Sequence, residues 1–166
     1  MNQIKGCTEG KGGHAAFASI LFSPPATFPS KEHPKDFYKN LAKLECDVLL
    51  VFGKDDPWCT PAFAKRMFQS LQEREGRDHS SSKPVPVHRY VELANVGHCP
   101  NHESPTAVGH ITSRWVRAKD RSKQALALLD EEEQVIAEHW GAVTAKEVDA
   151  SDISLSPMER LITSFV

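Results

Sequence analysis

The chain has 166 residues, 40% hydrophobic and 25% charged, an ordinary composition for a domain with one core. Its formal net charge of −2 provides no basic field for nucleic acid or an anionic membrane, and no apolar run approaches the ~20 residues that span a bilayer. The four cysteines, Cys7, Cys46, Cys59 and Cys99, show no CxxC spacing; neither a disulfide framework nor a zinc ribbon is expected, and reduced thiols in an intracellular compartment are.

Residues 1–13 are glycine-rich and polar, without the apolar segment of a secretory signal and without a transit-peptide pattern. They predict a flexible N-terminus. In residues 14–22 (HAAFASILF), Phe17, Ile20 and Leu21 share a helical face that Ser23-Pro24-Pro25 ends. After a proline-containing loop, Asp36 is placed to cap a short helix whose inward face is Phe37, Leu41 and Leu44.

Residues 47–53 (DVLLVFG) form a short apolar run closed by glycine, the pattern of a parallel strand buried on both faces. Thr60-Pro61 reads as N-cap and first-turn proline of a helix through Phe63, Met67, Phe68 and Leu71, stopping near Gly76. Residues 77–84 (RDHSSSKP) predict a surface loop. A second strand is expected over residues 87–93, with Val87, Val91 and Leu93 on one side and Tyr90 on the other. Ser104-Pro105 opens a further helix carrying Val108, Ile111, Trp115 and Val116. The alternation of helix and strand predicts βαβ organisation and a parallel sheet, an incomplete one, because two strands are too few.

Residues 119–166 predict a helical tail. Residues 124–140 bring Leu126, Leu129, Ile136 and Trp140 roughly into line, and Ser156-Pro157-Met158-Glu159 has capping-box form before Leu161, Ile162 and Phe165.

The chemistry-bearing residues follow the two strands. After the first comes Gly53-Lys54-Asp55-Asp56-Pro57-Trp58, and after the second Asn95-Val96-Gly97-His98-Cys99-Pro100. Sites in open α/β sheets lie beyond the carboxyl ends of the strands. Parallel neighbours would therefore bring Asp56 to His98. A histidine working as a general base needs one ring nitrogen held by a carboxylate, which fixes the tautomer and stabilises the imidazolium. Asp55 is the competing acid. Cys59 and Cys99 flank the site but read better as small hydrophobes than as nucleophiles. No metal is expected at His98, His102 and Glu103, for want of a second ligand cluster.

The segments VLLVFG, GKDDPWC and VGHCPNHESP, with FASILFSPP before and Trp115 after, resemble the last third of the α/β-hydrolase fold, in the group of plant and algal plastid hydrolases related to pheophytinase. The resemblance covers residues 14–118. It implies that the chain holds the C-terminal portion of that fold, with parallel strands and flanking helices, and that the activity is cleavage of carboxylic esters. In that family order, Asp56 matches the acid and His98 the histidine. Trp58 is a candidate for the substrate pocket, the substrate is a small lipophilic ester such as a phytyl ester, no cofactor is required, and a plastid address is implied by the resemblance alone.

The family nucleophile belongs in a G-x-S-x-G elbow, and these residues contain none. Ser19, Ser23 and Ser30 lack the flanking glycines, and Gly6-Cys7-Thr8-Glu9-Gly10 has its cysteine off centre and no strand before it. The expectation is therefore a partial enzyme, inactive alone, whose partner is the missing N-terminal half of the fold. Dehalogenases and epoxide hydrolases, which pair an aspartate nucleophile with a late Asp and His, also fit. The other reading is a non-catalytic binding protein derived from the fold.

Overall fold

Val48–Gly53 (β1) and His88–Ala94 (β2) pair in parallel, with Val48 opposite His88 and Gly53 opposite Leu93. The structure is a computed structural model that describes residues 37–73, 85–122, 135–138 and 141–163. The chain returns from β1 to β2 through the helix Pro61–Gln72 (α2), and Pro61 stands in its first turn, where a missing N–H costs nothing. Thr60 precedes it in extended geometry, but its side chain makes no capping bond.

Alternation along the strands divides the core. Tyr90 packs with Ala64 and Phe68 of α2, joined by Leu50 and Phe52 of β1. Val91 and Leu93 turn the other way, with Leu49, Val51 and Val87, to meet Ala107, Ile111 and Trp115. These last belong to the helix Pro105–Arg117 (α4), which follows the single turn Pro100–Glu103 (α3). Helices thus cover both faces of the parallel pair, as expected for a βαβ unit. Of the expected inward residues of α4, Val116 is exposed, since it follows Trp115 around the helix.

β1 is half-buried, not buried on both faces as its apolar run suggests. Among the described residues the strand order β1-β2-β4-β3 puts it at the edge, where its side chains have no described neighbour on one flank. The other edge of β2 corrects the expectation of a purely parallel sheet with a helical tail. Val135–Glu138 (β3) and Gly141–Glu147 (β4) are strands, and β4 pairs antiparallel with both β2 and β3. Ile136, Val143 and Ala145 are buried in the cluster that holds Val91 and Leu93. Of the helix expected over residues 124–140 only residues 135–138 are described, and there burying the open edge of β2 outweighs the helical alignment of Ile136; Leu126, Leu129 and Trp140 lie outside the described residues. Gly141, at φ 128°, supplies a backbone geometry that side chains disfavour where β4 begins. The sheet is therefore mixed and four-stranded among the described residues, with flanking helices, α/β in character.

Two further elements close the fold. Phe37–Leu41 (α1) buries Tyr38, while Phe37 and Leu44, expected inside, are exposed. Tyr38 suits the inner position because both its ends find partners. Its hydroxyl donates to the Thr163 carbonyl at 3.2 Å, and the Arg66 guanidinium lies 4.3 Å from its ring centre. Pro157–Ile162 (α5) has the capping box that its sequence predicts: Glu159 N donates to Ser156 Oγ, and Ser156 N donates to the Glu159 carboxylate. Met158, Leu161 and Ile162 nevertheless face solvent, and this end of the chain is held by buried Leu155 and Thr163. The expected helix of residues 14–22, the N-terminus of residues 1–13, the loop 77–84, Phe165 and the candidate serines lie outside the described residues.

Candidate active site

Parallel pairing sends both strands out at the same end, and the two loops beyond them interlock. Lys54 N donates to the Leu93 carbonyl at 2.9 Å, and Asp55 N to the Val96 carbonyl at 2.9 Å. The approach leaves no room at Gly53. A Cβ there would stand 2.0 Å from the Gly97 carbonyl oxygen and 2.6 Å from that of Val96. Gly53 has an ordinary φ, so what it contributes is space. Its role as a terminator was legible in the sequence; its close contact with the histidine loop was not.

The two adjacent aspartates act on different things. Asp55 Oδ2 accepts from Asn95 N at 2.7 Å, holding Asn95 at its positive φ of 65°. Asp56 turns inward. Its Oδ1 accepts from the backbone N–H groups of Trp58 at 2.8 Å and Cys59 at 2.9 Å, and its Oδ2 lies 2.8 Å from His98 Nδ1. The loop thus folds around the Asp56 side chain as an Asx turn, with Pro57 inside the turn. Burial works hardest on this carboxyl and pushes its pKa up. The hydrogen bonds from Cys59 N, His98 and Trp58 N together outweigh burial and leave it below the ordinary aspartate value.

The pair is asymmetric in exposure. The Asp56 side chain is 3% exposed and that of His98 40%. Asp56 occupies Nδ1 of His98, which leaves Nε2 as the ring nitrogen without a hydrogen bond among the described residues. The Trp58 ring stands edge-on to the imidazole at 4.8 Å, with an interplanar angle of 68°, and is 75% exposed. It therefore stands beside the imidazole and presents most of its surface to solvent.

Cys59 lies beside the pair, but burial first, and then the charge of Asp56, pushes its thiol pKa up, the reverse of an activated nucleophile. Donor atoms of Asp56, Cys59 and His98 lie within 4.8 Å of one another, a set of O, S and N that suits a borderline-soft cation. His102 is exposed, and Glu103 is committed elsewhere: its Oε2 accepts from Gly97 N at 2.7 Å and its Oε1 from Cys99 N at 2.9 Å. That use of Glu103 was missed in the sequence, where the residue was weighed only as a metal ligand and set aside. The available signal was a glutamate one helical turn after Cys99-Pro100.

Over 134 residues the chain is 25% identical to pheophytinase, chloroplastic, of Arabidopsis thaliana. This chain is a distant relative of a hydrolase. The alignment takes in 80% of this chain and 24% of that protein, so the chain spans about a quarter of the relative's length. No family model matches the chain, and no solved structure matches it. The mixed sheet with flanking helices is consistent with the hydrolase relationship.

Proposed function

We propose that this chain supplies the acid and the histidine of an ester hydrolase of the α/β-hydrolase type, as its C-terminal portion. The observation that carries the reading is the 2.8 Å contact between Asp56 Oδ2 and His98 Nδ1 at the tips of two parallel neighbouring strands. With Asp56 ionised, Nδ1 carries the proton and Nε2 is the base. Nε2 takes the proton of a nucleophilic hydroxyl as that oxygen attacks the ester carbonyl, then returns it to the departing alcohol. Asp56 stays ionised and stabilises the imidazolium between the two transfers. The likeness to a protein named pheophytinase, chloroplastic, supports a lipophilic ester as substrate and a plastid as location. Trp58 borders the substrate side of His98.

The nucleophile and the oxyanion-hole donors come from a G-x-S-x-G elbow outside these 166 residues, on the same polypeptide or another. The test is to read the frame upstream of Met1 for an in-frame G-x-S-x-G elbow and to assay hydrolysis of a short-chain aryl ester by this chain alone and by the longer form; a frame closed by stop codons, with no elbow, counts against the reading. The chain alone is expected to turn over little or nothing. The longer, elbow-bearing form is expected to be active and to lose about 10⁴-fold in kcat on Asp56→Asn and about 10⁶-fold on His98→Ala. Activity that survives His98→Ala removes the assignment.

A further inference from the structure

We infer that Glu103 is the positioning residue for His98, holding the histidine from both sides through its neighbours' backbone; the inference rests on the acid–histidine reading above. His98 is flanked in sequence by Gly97 and Cys99, and the two oxygens of the Glu103 carboxylate accept one N–H from each, at 2.7 and 2.9 Å. Cys99 N lies in the peptide that follows His98 and Gly97 N in the peptide that precedes Gly97, so the two bonds clamp the chain on either side of the Gly97–His98 pair and restrict the direction in which the imidazole leaves. Both bonds have an ionised acceptor, the stronger kind.

The carboxylate is itself placed by α3. Glu103 N donates to the Cys99 carbonyl at 2.8 Å while Cys99 N donates to Glu103 Oε1 at 2.9 Å, so Cys99 and Glu103 close a ring of reciprocal bonds. The residue at position 97 fits this arrangement. A Cβ on Gly97 would stand 3.0 Å from Oε2 and 3.2 Å from Oε1, tighter than ordinary contact, so glycine there lets the carboxylate come close. Asp55 N holds the carbonyl end of that same Val96–Gly97 peptide, so Glu103 shares the restraint before His98 and, among the described residues, supplies the one on the peptide after it.

A plain helix cap would account for some of these bonds, but it predicts a loss of stability with the imidazole unchanged. Glutamine separates the two roles, since its side chain has one acceptor oxygen and turns an NH₂ group toward the second N–H. The experiment is histidine-selective ¹⁵N NMR on the 166-residue chain, following the Nδ1–H proton that His98→Ala removes. Asp56→Asn is expected to abolish that slowly exchanging signal. Glu103→Gln is expected to speed its exchange at least tenfold, with Gly97→Ala acting in the same direction by displacing the carboxylate. Glu159→Gln, in the α5 capping box, should leave it alone. If the signal keeps its shift and exchange rate in both Glu103→Gln and Gly97→Ala, the positioning role is overturned. If Asp56→Asn leaves it in place, the acid–histidine reading falls and this inference falls with it.

Discussion

Replacing Gly53 by alanine is the sharpest test of how the two loops fit. The added methyl would sit 2.0 Å from the Gly97 carbonyl oxygen and 2.6 Å from that of Val96, where ordinary contact begins near 3.4 Å. The first overlap is about 1.4 Å, and its partner is backbone, which cannot swing aside as a long side chain does. Moving residues 96–97 by more than an ångström would break the 2.9 Å bond from Asp55 N to the Val96 carbonyl, worth about 1 kcal/mol, and strain its neighbour from Lys54 N to the Leu93 carbonyl. The overpacking itself adds about 1–3 kcal/mol. A total of about 2–4 kcal/mol is expected. The displaced Gly97 would also carry His98 away from Asp56. Urea denaturation of the two proteins reads the stability, and the His98 Nδ1–H resonance reads the geometry. A Gly53→Ala protein with an unchanged midpoint and an intact resonance would refute the reasoning.

Three further outcomes follow from the packing and the charges. Asp55→Ala loses one bond to Asn95 N and should cost about 1 kcal/mol while leaving the His98 resonance in place; loss of that resonance would reverse the division of labour between the aspartates. Ile111→Ala, at a fully buried position between α4 and the sheet, should destabilise by about 2–5 kcal/mol in a denaturant titration, whereas Val116→Ala on the exposed side should change stability by about 0.5 kcal/mol or less. Acid titration has a definite sign. The pKa values of Asp56 and of Asp47 are both lowered in the folded chain, that of Asp47 chiefly by the Val87 N–H and then by Arg121. Their stabilisation is complete above the unfolded aspartate value of about 3.9 and is lost as pH falls through the lower folded values. Urea midpoints measured from pH 7 to pH 2 should fall in that acid window, and less steeply in Asp56→Asn.

The parts of this molecule legible in its sequence are those where local pattern and tertiary demand agree. Val48 to Phe52 can be little else than a strand, and Val91 with Leu93 opposite Tyr90 declares two faces, as the split core confirms. The meeting of Asp56 and His98 followed from placing each after a strand and making the strands parallel neighbours. Where a segment answers to distant partners, pattern fails. Ile136 and Val143 are strand residues because β2 has an edge to fill, a need that their own surroundings do not announce. Tyr38 displaces Phe37 from the interior through a hydroxyl bond to Thr163, on the far side of the sequence. The role of Glu103 went unseen because a carboxylate's usefulness to backbone N–H groups is invisible until the turn that presents them exists.

The hairpin of β3 and β4 reaches further than filling an edge. Ala142, at its start, offers its carbonyl to the Asn95 side chain at 3.2 Å, so the stem of the histidine loop is moored to a piece of chain made some fifty residues later. A ribosome releasing this polypeptide would have completed the parallel pair well before that mooring existed. Late sequence thereby becomes a dial on an early loop. A change that displaces Ala142 would therefore reach Asn95 without altering any residue beside the imidazole.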